Sequence, residues 1–176
     1  MAIIEAIETV YLEADAANIT FSSIAGYEHL ELIMSLRGTR DTSQIYTEAT
    51  LNADDGSNYS TRRIHASGGN LYGQSTSSDS DFFNNYNSTS SGTSGRADLY
   101  SYGRLTIYDY LHTNKNTTIS EDWTTLLGDV SYGQTDRNIG VWDNTAAVTS
   151  IKLRPGSGSY NFLRGSTITL NGIKSS

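Results

Sequence analysis

Apolar and polar residues alternate with a period of two along much of this chain. The clearest case is His29–Arg37. Leu30, Leu32, Met34 and Leu36 fall on one side, and Glu31, Ile33, Ser35 and Arg37 on the other. Successive side chains of a strand point to opposite faces, so this pattern predicts a half-buried strand. Asn18–Ile24, Ile45–Asn52 and Asn58–Ala66 read the same way. Between the last two lies Ala53-Asp54-Asp55-Gly56-Ser57. Its Asp-Gly pair predicts a hairpin turn, because glycine accepts the positive φ that such turns demand. Ala97–Tyr110 is the longest alternating run, and Asn116–Leu127, Asn138–Asp143, Ala147–Arg154 and Ser166–Ile173 follow it.

Two segments are less defined. Residues 1–17 read as an N-terminal arm or edge strand, but Ile3, Ile7, Val10 and Ala14 also fit helical spacing. Both conformations stay open for this segment. Residues 67–96 read as a long polar loop region with one short strand or two ordered turns. Leu71, Tyr72, Phe82, Phe83 and Tyr86 are the residues able to anchor it. The sum is an all-β chain of about eight to ten strands joined by short polar turns. Strands in that number pack as an antiparallel β-sandwich, here expected to form a single domain over 1–176.

Composition sharpens this picture. Ser, Thr and Asn number 24, 21 and 13 among 176 residues, and Tyr adds 12. These residues suit strands with polar outer faces and short turns. The chain has no Cys, which removes disulfides, thiolate metal sites and thiol nucleophiles. Its net charge is −7, which argues against nucleic acid and anionic membranes as partners. No apolar run approaches the ~18 residues of a membrane span, and no secretory signal pattern opens the chain. Membrane insertion is not expected.

Candidate chemistry is sparse. The closest acid pairs are Asp79-Ser80-Asp81, Asp54-Asp55 and Glu121-Asp122. Glycosidases need two carboxylates across a cleft, but acids in Ser- and Gly-rich turns ordinarily serve as solvated turn formers. Residues 52–58 are rich in the hard oxygens that Ca²⁺ prefers, yet lack the spacing of an EF-hand loop. His29, His65 and His112 lie far apart, and Gly156-Ser157-Gly158-Ser159 sits between strands, where no helix offers a phosphate its N-terminus. The sequons at Asn18, Asn58, Asn87 and Asn116 are what chance supplies in so Ser- and Thr-rich a chain. No catalytic residue, cofactor or metal is expected, and the chain reads as a non-enzyme.

The tyrosines stand apart. In Ala97–Tyr110 the even positions carry Tyr100, Tyr102, Arg104, Tyr108 and Tyr110, and the odd ones carry Leu99, Gly103, Leu105 and Ile107. A regular strand would set the tyrosines on one face. Tyrosine is amphipathic and loses little entropy on contact, so the stripe suits a protein interface or a sugar-stacking platform. Ordinary packing under loops accounts for it equally, and a bulge at Gly103 would split it. Trp142 reads as core.

The C-terminal stretch Gly140-Val141-Trp142-Asp143-Asn144-Thr145-Ala146-Ala147-Val148-Thr149-Ser150-Ile151-Lys152-Leu153 leads into Pro155-Gly156-Ser157-Gly158, and Ser166–Ile173 follows. Upstream lie Ile19-Thr20-Phe21-Ser22-Ser23-Ile24, Tyr27-Glu28-His29-Leu30, Asn58-Tyr59-Ser60, Asp109-Tyr110 and Asn114-Lys115. This ordered set resembles a widespread group of tailed-phage virion proteins, abundant in viruses of aquatic bacteria and cyanobacteria. The likeness spans most of residues 18–173. Asn171 departs from it where the group carries an aromatic residue, and Ala25-Gly26 where it often carries proline. The resemblance implies a jelly-roll sandwich with a structural or attachment role.

The chain is short, which within that group points to a capsid decoration, or cement, protein. It would bridge neighbouring copies of the major capsid protein on the outer surface of a virion made in the bacterial cytoplasm. The resemblance implies a homo-oligomer, as a trimer. The interface candidates are Tyr100, Tyr102, Arg104, Tyr108 and Tyr110, with Ile3, Ile4 and Ile7 of the apolar N-terminal segment. The alternative is a tail-associated receptor- or carbohydrate-binding module whose partner is a host-surface glycan.

Overall fold

A computed structural model describes residues 2–42, 44–82, 89–91, 93, 98–126, 133–156 and 159–175. They form β1 (Ala2–Tyr11), β2 (Ile19–Ser22), β3 (His29–Leu36), β4 (Gln44–Leu51), β5 (Tyr59–Ser67) and β6 (Asn70–Asp79). Then come β7 (Thr89–Ser91), β8 (Ser101–Tyr108), β9 (Thr117–Leu126), β10 (Gly133–Trp142), β11 (Ser150–Pro155) and β12 (Thr167–Ser175). The described residues include no helix. The chain is all-β, an antiparallel β-sandwich as its alternation predicts.

The larger sheet has the order β1-β12-β3-β8-β9-β10-β5-β6, and the smaller β2-β11-β4-β7. Their inner faces meet in one apolar cluster. Leu30, Leu32, Met34 and Leu36 of β3 pack there with Leu105, Ile107, Ile119, Trp123, Trp142, Ile168 and Leu170 of the same sheet. Phe21, Ala49, Leu51, Ile151 and Leu153 come from the smaller sheet. The half-buried pattern of His29–Leu36 is thus the inner edge of this core.

Three expectations need correction. Residues 53–57 do not close a hairpin. β4 pairs with β11 and β7, while β5 pairs with β10 and β6, so this turn carries the chain from one sheet to the other. The hairpin lies at Gly68-Gly69, which have φ of 55° and 81° and join β5 to β6. Residues 70–79 are not loop but a ten-residue edge strand. An edge strand exposed on both faces has no apolar alternation to betray it, and its pairing with β5 supplies the backbone partners that a polar loop would seek in water.

The N-terminal segment takes the strand alternative. β1 is the other edge of the large sheet, paired with β12 and interrupted between Ala6 and Glu8. β10 begins five residues before the predicted Asn138, because its inward positions Gln134, Asp136 and Asn138 are polar and hide the pattern. Phe83, Tyr86, Asn87, the Ser/Gly run at 88–95 other than 89–91 and 93, Ala97, Leu127, Gly128-Asp129 and Ser157-Gly158 lie wholly or partly outside the described residues. No helix among the described residues is long and apolar enough to cross a membrane.

Candidate functional site on the outer face of the large sheet

β8 is regular through Gly103, with unbroken register to β3 and β9, so no bulge divides the stripe. Ser101, Gly103, Leu105 and Ile107 point inward, and Tyr102, Arg104 and Tyr108 point out. Three of the five even-position candidates therefore share the outer face. The other two do not. Tyr100 precedes the strand, and its hydroxyl donates to the Arg164 carbonyl at 2.6 Å. Tyr110 is fully buried in the core. Asp109, at φ 50°, turns the chain after β8 and sends the next side chain inward. There the Tyr110 hydroxyl accepts from the Tyr27 amide at 3.4 Å.

The N-terminal candidates reach the same face by register. Ile4 pairs with Ile173, and Ile173 with His29. The His29 ring stands edge-on to Tyr108 with centroids 5.6 Å apart. A row Ile4–Ile173–His29–Tyr108 thus crosses β1, β12, β3 and β8. Ile3 is half-buried beside Lys174, and Ile7 sits at the register shift, partly exposed.

Polar groups fix this surface. The hydroxyls of Tyr108 and Ser120 lie 3.0 Å apart. His29 Nδ1 accepts the Asp109 amide at 3.0 Å, which leaves its proton on Nε2 in the neutral ring. Lys115 pairs with Asp109 and, as the leading cause, holds that carboxyl below its ordinary range. Arg104 Nη2 donates to Asp122 Oδ2 at 3.0 Å, and its Nε lies 4.0 Å from Glu31 Oε2. Arg137 stands 3.8 Å from the same Asp122.

An open groove of about 760 Å³ runs along this face. Arg62, Ser75, Tyr108, Ser120, Arg137 and Ile139 line it. A second hollow of about 500 Å³ shares Arg62, Ser75 and Ile139 and extends it towards Thr118 and Val141. The sequence reading did not single out Arg62, Arg137 or Ile139. Alternation within β5 and β10 holds the signal, since all three occupy outward positions of strands whose inward positions are buried.

The acid pairs split between faces. Glu121 is buried and accepts from Asn138 Nδ2 at 2.7 Å, while Asp122 points outward. Asp81 is only 2% exposed, against the expectation of a solvated turn. It shares Arg154 with Glu48, at 3.5 and 2.7 Å. Burial, then Glu48, pushes its carboxyl up to about 6. Asp54 accepts from Trp142 Nε1 at 2.7 Å and from Asn58 Nδ2 at 2.9 Å. Its burial opposes ionisation, but these donors outweigh it and hold the carboxyl low. Donors on both oxygens make residues 52–58 a hydrogen-bonded corner. Among the described residues no three His, Asp or Glu side chains gather as a metal site.

Neither a family model nor a curated protein matches this sequence. Among solved structures the chain is similar to galectin LEC-6 of Caenorhabditis elegans, at 10% identity over 95% of this chain and 96% of that one, with a TM-score of 0.35.

Proposed function

We propose that the chain is a non-enzymatic virion structural protein, a capsid decoration protein that bridges neighbouring copies of a major capsid protein on the outer capsid surface. The observation that carries this reading is the row Ile4–Ile173–His29–Tyr108 on an uncovered sheet face. It continues along β8 to Arg104 and the exposed Tyr102. Exposed aromatic and aliphatic residues gathered on one face are the composition of a protein contact.

We infer contact with further copies of the chain from the edges of the large sheet, while the trimer is carried by the resemblance alone. Both edges of the eight-stranded sheet are ten-residue strands. β1 is blunted by its register shift and by Glu5 and Glu8. β6 carries no charge before Asp79 and no proline, and Leu71 on it is 75% exposed. An uncharged edge of this length is a template for strand pairing.

The test is to separate purified virions into heads and tails and count copies by quantitative mass spectrometry. Hundreds of copies on heads are expected. A few to a few dozen on tails would overturn decoration and favour the second reading, a tail-associated receptor- or carbohydrate-binding module, which the groove beside Tyr108 supports.

A further inference from the structure

We propose that the groove on the outer face binds an acidic saccharide, taking a sugar carboxylate between Arg62 and Arg137 and the ring over Ile139 and Tyr108. Charge is the first argument. The chain carries −7 overall. The outer positions of β3, β8, β9, β10 and β5 hold three cations, Arg62, Arg104 and Arg137, and two anions, Glu31 and Asp122, a local balance of +1.

Those charges are unevenly committed. Arg104 is held by Asp122 and Glu31. Arg137 reaches Asp122 only at 3.8 Å, and its side chain is 81% exposed. Arg62 forms no ion pair among the described residues, although it lines both hollows. Register then places the pair. Arg62 stands opposite Ile139, and Arg137 opposite Ile64, on adjacent strands. The two arginines are diagonal neighbours, ~7–8 Å apart at the backbone, so their flexible arms converge on one small anion. Guanidinium is the group that recognises carboxylate by paired hydrogen bonds.

The remaining lining selects a sugar over a bare anion. Ser75 and Ser120 offer hydroxyls, which donate and accept as sugar hydroxyls require. Ile139 is 54% exposed and Tyr108 39%, giving apolar surface for the C–H face of a ring. The groove lies within the ~300–1,000 Å³ usual for ligand sites, and it continues into the second hollow, so it suits an internal stretch of a chain.

The experiment is calorimetric titration of the whole chain with tetragalacturonate, and with neutral maltotetraose and a short DNA strand as comparisons. Arg62→Gln/Arg137→Gln and, away from the groove, Arg164→Gln are measured beside the unaltered protein, with circular dichroism to check folding. Tetragalacturonate should bind, and the double variant should weaken it at least tenfold while Arg164→Gln does not. Maltotetraose and DNA should bind at least tenfold more weakly. No binding of tetragalacturonate, equal binding by the folded double variant, or equal binding of either comparison overturns the proposal. None of these outcomes depends on where the protein sits in a virion, so the site and the decoration role fail separately.

Discussion

Gly103 of β8 stands directly opposite Trp123 of β9, and a Cβ on Gly103 would fall 1.6 Å from the indole ring. The buried Trp123 ring fills the space that the missing side chain leaves. The Gly103 that threatened the tyrosine stripe with a bulge is instead what keeps β8 regular. It lets the largest side chain of the core lie against the strand without pushing it out of register.

Gly103→Ala should therefore cost about 3 kcal/mol or more, at the upper end of overpacking penalties. Urea denaturation followed by circular dichroism would measure it. In a Trp123→Leu background the same change should cost under about 1 kcal/mol, because the clashing ring is gone. An equal cost in both backgrounds would show that the ring contact is not the cause.

The corner between the sheets rests on Asp54. Asp54→Ala strips Trp142 Nε1 of its acceptor and removes partners of Asn58 and the Gly56 amide. A buried indole N–H left without a partner costs about 1–3 kcal/mol. The expected result is a loss of that size with altered tryptophan fluorescence in the folded state. A variant as stable as the parent would remove this corner from the list of structural ties.

Asp81 sets a pH dependence. Its carboxyl lies at about 6 when folded against the ordinary 3.8, first through burial and then through Glu48, with Ser80 and Arg154 opposing. The folded state then holds more protons than the unfolded one between those values. Stability should fall as pH rises from about 4 to about 6, by on the order of 2 kcal/mol from this group. Asp81→Asn, which resembles the protonated acid, should remove that part of the slope and leave the protein at least as stable at pH 7. An unchanged slope in the variant would refute the assignment.

The β6 edge supplies a test of self-association. Leu71→Lys places a charge where a second copy would pair, at a side chain that makes little contact within the chain. Sedimentation velocity should show oligomers for the parent and a shift to monomer for the variant, with melting temperature unchanged. Two identical profiles would clear β6 of any part in assembly.

Much of the architecture was legible before folding was considered. Alternation marked β3 and β8 because each has one face in an apolar core and one facing outward. The hidden elements have a different physics. β6 touches no core on either face, and the inner face of β10 is polar, with Asp136 ion-paired to Arg63 of β5, so neither shows the pattern. Sequence could not tell an outward tyrosine from an inward one at the end of β8, where the strand stops, Asp109 takes a positive φ and Tyr110 lies in the core.

The sequence by itself determined the class of fold and most of the strands that face the core. These follow from a two-residue period, which is a local property of the backbone. Only the tertiary structure decided which strands are neighbours. That choice turned the 53–57 segment into a crossing between sheets, aligned Ile4 with Tyr108 across four strands, and set Arg62 and Arg137 side by side from positions far apart in sequence. Strand order depends on how the sheets close around one core, and no local pattern encodes it.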